Sequence, residues 1–287
     1  MTTIPGPIPY TLRVGVTGHR DLPDPAGVEQ AVAALLHHIQ TTLESAAERP
    51  RGRCGPRRTL VQRLDAVLTR CARLVWWTLP LGRRRIPAAR RTPIEWVAIS
   101  PLARGADRIV ARAILTRPGA RLQVIAPLPL DDYRTDFATP EDLAEFEALL
   151  SEDPSPTLPE QKNGVERRSE RYLKAGYKVA DACEILVAVW DGQPTSGHGG
   201  TADIVKYAAD QGRVVLWIDS NNPAHPPRQI VAAGSDATTK PADQVNGLVY
   251  RPMPATADRL LRNFHRLTAY NRDAAFSASE YRDGPAA

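Results

Sequence analysis

Short apolar runs alternate along the chain with longer segments that carry apolar side chains on one side only. The runs are β-branched or aromatic, as in buried strands, and they span Leu12–Val16, Ile94–Ile99, Leu122–Ile125, Ile185–Trp190 and Val214–Ile218. The segments between them have the spacing of amphipathic helices and cover 27–46, 103–116, 167–182 and 201–211. Strands that alternate with helices form a parallel sheet with right-handed crossovers. The pattern predicts an α/β fold, a Rossmann-like open parallel sheet with helices on both faces.

The rest of the chain is less regular. Its predicted features are, in order, an irregular segment at 129–165 with a short helix near 140–150, a long loop at 220–247, a short strand at 248–251 and a C-terminal helix at 256–272. The small, polar residues after Asn271 are expected to be mobile. Because we find no internal repeat, we expect one domain over 1–287, with its core in 11–47 and 94–219.

The positive charge is concentrated in one segment. The chain has a formal net charge of +5, but residues 49–91 contain thirteen arginines and a single acid, Asp65, which gives this segment +12. The other residues sum to −7, so the chain is an acidic protein with an arginine-rich insertion. A solvated basic face is one interpretation of the insertion. The other is a surface for a polyanion, such as nucleic acid or anionic lipid, or for a partner protein.

The composition narrows the class of protein further. No stretch approaches the roughly 18 apolar residues that span a bilayer, and the N-terminus lacks the basic and apolar regions of a signal peptide. The cysteines Cys54, Cys71 and Cys183 have no metal-binding spacing, and the histidines form no cluster. We expect a cytoplasmic protein without a transmembrane segment, a structural metal or a cofactor.

Three strand-to-helix loops carry most of the candidate chemistry: 17–20, 100–107 and the glycine-rich 190–203. Parallel strands end at one edge of a sheet, so these loops are expected to converge there, where ligands bind in such folds. Glycines and hydroxyls at a helix start suit a phosphate, because backbone amides and the helix dipole favour an anion. The candidate ligand-binding residues in these loops are Thr17, Gly18, His19, Arg20, Ser100, Arg104, Gly105, Asp107, Trp190, Gly192, Gly199, Gly200 and Thr201.

Several of these residues have an equally simple structural interpretation. Gly18 could serve only a tight turn, and Thr201 only the start of the helix that it opens. Asp107 could favour its helix dipole or pair with a neighbouring arginine. Asp191 is either a turn residue or a ribose-binding or catalytic group, and Trp190 is either part of the core or a wall for a base.

The three loops together resemble those of a known family. The segments VGVTGHRDL, ISPLARGADRIVA and EILVAVWDGQPTSGHGGTADIV are similar to the SLOG superfamily, the Rossmann-like group that includes the LOG nucleotide phosphoribohydrolases and the DprA-type DNA-binding proteins. More specifically, they resemble bacterial SLOG domains that occur alone or fused to effector and membrane modules in signalling or anti-phage systems. The matching blocks cover 11–47, 94–150 and 167–220.

The resemblance implies a ligand and a set of contacts. The ligand would be a nucleotide or a nucleotide derivative, such as ADP-ribose, NAD or a nucleoside monophosphate. The phosphate-binding loop of the family corresponds to Gly199, Gly200 and Thr201. The first strand loop corresponds to Gly15, Thr17, Gly18 and His19. Family members often dimerise, so the resemblance is also compatible with a homodimer.

The sequence departs from the family's enzymes at the catalytic positions. LOG enzymes carry PGGxGTxxE, whose glutamate acts on the ribose, whereas this chain reads SGHGGTADI and has Ile204 at the glutamate position. Ala175-Gly176 stands where the enzymes place Arg-Lys. We therefore expect a sensor or regulatory domain that binds its ligand. The alternatives are cleavage of an N-glycosidic bond by a carboxylate of Asp203, Asp191 or Asp107, and DNA binding through 49–91.

Overall fold

A computed structural model describes residues 6–48, 92–159, 167–193, 200–232, 244–245, 248–253 and 258–280. The arginine-rich insertion at 49–91 and the candidate Gly199 lie outside these ranges. Within them the strands are β1 (Tyr10–Gly18), β2 (Ile94–Ser100), β3 (Arg121–Val124), β4 (Ile185–Trp190), β5 (Val214–Asp219), β6 (Arg228–Ala232), β7 (Gln244–Val245) and β8 (Leu248–Pro252). The helices are α1 (Pro25–Glu48), α2 (Ala106–Leu115), α3 (Leu130–Arg134), α4 (Pro140–Leu150), α5 (Arg168–Ala182), α6 (Thr201–Asp210) and α7 (Asp258–Glu280).

The described strands form one sheet in the order β3-β2-β1-β4-β5-β6-β8-β7. The first five strands in this order are parallel, and β6, β8 and β7 continue the sheet with antiparallel pairs. The chain runs outward from β1 to β3 and then returns to place β4 on the other side of β1. In such a sheet the order reverses between β1 and β4, and a crevice opens above their carboxyl ends. The predicted Rossmann-like α/β fold is confirmed.

Helices cover both faces of the sheet because its central strands are apolar on both sides. All six residues of β4 are buried, and they alternate between two cores. Ile185, Val187 and Val189 share a core with α1 and α2, whereas Leu186, Ala188 and Trp190 share a core with α5 and α6. No helix in the described ranges is long and apolar enough to cross a membrane.

The C-terminal third differs from the sequence prediction. The prediction of a continuous loop over 220–247 is wrong, because Arg228–Ala232 and Gln244–Val245 are strands. These strands are short, and β6 is held by hydrogen bonds to β5 and β8, so its own sequence carries little signal. The last helix runs to Glu280, so residues 272–280, which were expected to belong to the tail, continue the helix.

Candidate functional site

A cavity of about 420 Å³ lies at the crevice between β1 and β4. Loops that follow β1 and β2 supply one wall, and the first turns of α5 and α6 supply the other. The lining residues are Val16, Thr17, Gly18, His19, Arg20, Pro101, Ala103, Asp107, Ser169, Tyr172, Gly176, Gly200, Thr201 and Ile204. The three predicted loops therefore converge on one cavity, since His19, Asp107 and Thr201 all line it.

Close backbone packing fixes the loop after β1. A Cβ on Gly18 would lie 2.5 Å from both the Val189 carbonyl oxygen and the Ala106 Cβ. The amide of His19 donates to the Val189 carbonyl at 2.9 Å, and the His19 carbonyl accepts from the Ala106 amide at 3.1 Å. Gly105 has φ +81°, and a Cβ there would lie 2.6 Å from the His19 carbonyl oxygen. Gly18 and Gly105 thus allow this loop to sit directly on the start of α2.

Arg20 brings a positive charge to the cavity. Its guanidinium lies 4.8 Å from the centroid of the Tyr172 ring, a distance at which a cation is attracted to an aromatic face. Tyr172 is held in turn by a hydrogen bond from its hydroxyl to Asp136. Among the described residues no carboxylate lies within 4.0 Å of the Arg20 guanidinium. This charge is therefore available to an anion in the cavity.

The N-terminus of α6 faces the same cavity. Gly200 is its N-cap residue, and no side chain among the described residues caps the helix. The amides of the first helical turn lack intrahelical partners, and the helix dipole favours an anion beside them. Thr17, which is 5% exposed, lines the same cavity. Amides, a hydroxyl and a guanidinium together form an anion-binding environment.

Asp107 lies in the cavity wall on the other side, at the start of α2. It is 4% exposed, and its Oδ2 accepts from the Ala103 amide at 3.2 Å. Burial raises the pKa of Asp107 to about 7, against the opposing effects of the Ala103 amide, Arg20 and Arg108. Titration of this carboxyl near neutral pH makes it a candidate acid, base or proton-dependent acceptor.

The predicted alternative that Asp107 pairs with a neighbouring arginine is not realised. Arg104 pairs with Asp21 at the surface. The buried Arg108 guanidinium instead contacts Asp142 at 2.6 Å and Glu145 at 2.9 Å, which ties α2 to α4. Asp107 therefore reaches the cavity as a carboxyl without a direct ion pair among the described residues.

His19 connects the cavity to the ends of β4 and β5. Its Nε2 lies 3.8 Å from Asp191 Oδ1, and its Nδ1 lies 3.5 Å from the hydroxyl of the fully buried Ser220. Asp191 also accepts from the Gln193 amide at 3.0 Å, as a turn residue does. The structure thus shows the turn role of Asp191, while a ribose-binding or catalytic role stays a prediction.

Several predicted site residues lie away from the cavity lining. Gly15 faces α5, where a Cβ would lie 2.8 Å from the Cys183 sulfur, so its position is explained by helix packing. Ser100 is buried and accepts from the Leu102 amide at 2.9 Å. Trp190 is core, although its Nε1 has no partner among the described residues. Gly192, with φ +76°, lies in the turn beyond it.

The predicted catalytic acids differ in their relation to the cavity. Asp203 is not among the lining residues; its charge lies near Tyr177, whose pKa is raised by burial and then by Asp203. Asp107 lines the cavity directly. Asp191 reaches it through His19.

Sequence reasoning named no binding residue on α5, although it aligned Ala175-Gly176 with the Arg-Lys pair of the family's enzymes. Ser169, Tyr172 and Gly176 all line the cavity from this helix. A signal was present, because a helix that leads into a parallel strand begins at the edge where the strands end. The topology therefore places the first turns of α5 near the predicted loops. Gly176 also lets the helices approach, since a Cβ there would lie 2.6 Å from Ile204 Cγ1.

The described residues contain no group of three or more histidine, cysteine, aspartate or glutamate side chains arranged to hold a metal ion. The cavity's polar groups are instead hydroxyls, an imidazole, a guanidinium and one carboxyl. Such groups bind organic phosphates and polar small molecules.

Comparison with known proteins gives no family. No protein-family model matches the chain, and no curated protein matches it. One similar solved structure is the crystal structure of a conserved domain protein from Vibrio cholerae O1 biovar El Tor strain N16961. It is 12% identical and covers 75% of this chain and 81% of its own, with a TM-score of 0.15. A TM-score this low carries no argument, so membership of the SLOG superfamily stays a prediction from the residues.

Proposed function

We propose that this chain binds a nucleotide or nucleotide-derived ligand, such as ADP-ribose, NAD or a nucleoside monophosphate, and acts as a sensor or regulatory domain of the SLOG type. One observation carries the proposal. The Arg20 guanidinium and the N-terminus of α6, neither of which has an ionic or capping side-chain partner among the described residues, line one cavity with Thr17 at the strand-order reversal. Phosphate is the common ligand group that uses all three kinds of contact.

The size of the cavity supports the same class of ligand. Small-molecule pockets commonly measure about 300–1,000 Å³, and the volume here is about 420 Å³. The apolar lining from Val16 and Ile204 and the ring of Tyr172 add surface for a sugar or a base. The phosphate would lie toward Gly200 and Thr201, in the cavity that Arg20 also lines.

Titration calorimetry with ADP-ribose, NAD and nucleoside monophosphates tests this proposal. The wild-type protein should bind at least one of them below millimolar concentration. Arg20→Ala should weaken that binding by about tenfold or more, because it removes a charge-assisted hydrogen bond. Arg121→Ala is the matched control, since Arg121 is exposed on β3, and it should bind like the wild type.

A second variant tests the α6 side of the cavity. Gly200 has extended backbone, with φ −90° and ψ 177°, which valine adopts readily. Gly200→Val should abolish binding by covering the first amides of α6 while the far-ultraviolet circular dichroism stays unchanged. Absence of binding by every probe at millimolar concentration, or undiminished binding by Arg20→Ala, would refute the proposal.

Cleavage of an N-glycosidic bond is the second candidate function. Hydrolysis of such a bond passes through an oxocarbenium-like state that needs a carboxylate against the ribose. The observation that favours it is the place of Asp107 in the cavity wall. Release of free base from a nucleoside monophosphate, or of nicotinamide from NAD, should then be lost on Asp107→Asn and retained on Asp203→Asn. No release from any of these substrates would leave binding as the function.

DNA binding through the arginine-rich insertion remains a separate prediction. Two others are contact of the insertion with another polyanion or a partner protein, and formation of a homodimer. Residues 49–91 lie outside the described ranges. If they bind DNA, the affinity should fall steeply with salt and disappear when the segment is deleted. Nucleotide binding in the cavity should survive that deletion.

A further inference from the structure

The carboxyl of Asp107 has a free hydrogen-bonding position that faces the cavity. Its Oδ2 accepts from the Ala103 amide at 3.2 Å, and within the described part of the chain no donor reaches the other oxygen. The residue is 4% exposed and lines the cavity. Because the residue lines the cavity, a ligand bound there can donate a hydrogen bond to this carboxyl.

The charged and titratable neighbours of Asp107 do not supply that partner. Arg20 approaches from the β1 loop and lowers the pKa of the carboxyl, but its guanidinium stacks on Tyr172. Arg108, on the same helix, is engaged by Asp142 and Glu145. Tyr133 of α3 donates its hydroxyl to the Pro101 carbonyl at 3.0 Å.

The position of Asp107 relative to the anion-binding groups constrains what it can meet. Gly200 and Thr201 follow β4, Arg20 follows β1 and Asp107 follows β2, and these strands are neighbours in the order β2-β1-β4. A ligand with its phosphate on the α6 side would therefore extend across the β1 loop toward Asp107. A second anion at Asp107 would be repelled, whereas an ionised carboxylate accepts from neutral donors. The hydroxyls of a ribose are such donors.

We propose that Asp107 accepts a hydrogen bond from the ribose 2′-hydroxyl of the bound ligand, so that the cavity selects ribonucleotides over their 2′-deoxy counterparts. This inference rests on the proposed nucleotide-binding function and adds a specificity-determining residue to it. Because a hydroxyl binds more strongly to the ionised carboxylate, the selectivity rises with pH. The raised pKa of Asp107, about 7, places this rise between pH 6 and pH 8.

Matched ligand pairs test the inference: AMP with 2′-deoxy-AMP, and ADP-ribose with its 2′-deoxy counterpart. Calorimetry on the full chain should show that the ribo form of at least one pair binds about tenfold or more tightly at pH 8. The ratio should shrink severalfold at pH 6. Both members of a pair carry the same phosphates, so phosphate titration cancels in the ratio.

Variants assign the selectivity to this side chain. Asp107→Asn is nearly isosteric, and it should bring the ratio close to one at both pH values while phosphate-dependent binding persists. Asp210→Asn changes an exposed carboxyl at the far end of α6 and should keep the wild-type ratio. The pH dependence of the wild-type ratio needs no variant, so the test stands even if Asp107→Asn folds poorly.

The outcomes separate the two proposals. Equal affinity within both pairs, or a ratio that survives Asp107→Asn, would overturn the role of Asp107 and leave nucleotide binding intact. Absence of binding by all four probes, together with the rest of the nucleotide panel, would overturn both proposals.

Discussion

The buried carboxyl of Asp107 makes stability depend on pH in a way that one substitution can isolate. Burial raises the pKa of Asp107 from 3.8 to about 7 in the folded protein. Between these pH values the folded state holds a proton that the unfolded chain has lost, so the free energy of unfolding falls as the pH rises. The stabilisation of the protonated form is fully present below pH 3.8 and is lost by about pH 7. Asparagine cannot titrate, so Asp107→Asn removes this dependence.

The magnitude follows from the same values. At 1.36 kcal/mol per pKa unit, the interval from pH 5 to the folded-state pKa of about 7 corresponds to about 3 kcal/mol. Relative to the wild type, Asp107→Asn should therefore gain about 3 kcal/mol in the free energy of unfolding between pH 5 and pH 8.

Urea unfolding followed by tryptophan fluorescence measures this gain. The wild type and the variant are compared at each pH, so titration of all other groups cancels in the difference. A difference that stays constant within about 1 kcal/mol between pH 5 and pH 8 would refute the assignment of a buried, near-neutral carboxyl.

Three further substitutions test the packing around the cavity. Gly105→Ala should lower the thermal midpoint more than Gly119→Ala. Both glycines have positive φ, +81° and +70°, but a Cβ at Gly105 would meet backbone atoms, whereas a Cβ at Gly119 would have nothing within 4 Å. Equal decreases in the thermal midpoint would contradict the close approach of the loop after β1 to the start of α2. Arg108→Met should cost about 3–5 kcal/mol in urea unfolding, because it removes the cation from a buried ion pair; a neutral result would show that this pair is dispensable. Thr17→Val should leave the unfolding free energy within about 1 kcal/mol but weaken nucleotide binding about tenfold, since it removes a hydroxyl from the cavity wall. Unchanged affinity would exclude a contact from that hydroxyl.

Much of the fold followed from the apolar pattern of the chain. The short runs around Val16, Ile99 and Val187 are mostly apolar and are separated by amphipathic segments, so they predict buried parallel strands. The edge where their loops meet then follows from topology, which is why residues as distant as His19 and Thr201 are found around one cavity. Their binding roles remain predictions.

The features that the sequence did not predict depend on which elements pack together. Gly15 reads as part of a ligand loop, but its neighbour in space is Cys183, a contact that only the placement of α5 reveals. Likewise, Asp203 and Thr201 share one helical turn, yet only Thr201 is among the residues that line the cavity. Neighbouring positions on a helix are rotated by about 100° from each other, and the sequence does not fix which of them faces the cavity.

The interlocked backbone beneath Arg20 has an energetic consequence for recognition. The His19 amide and carbonyl are hydrogen-bonded to Val189 and Ala106, so the main chain that carries this arginine is held in place before a ligand binds. Binding of a ligand then costs less conformational entropy in the loop after β1, so more of the contact energy contributes to the affinity. Loosening that anchor would weaken association without touching a single atom that meets the ligand.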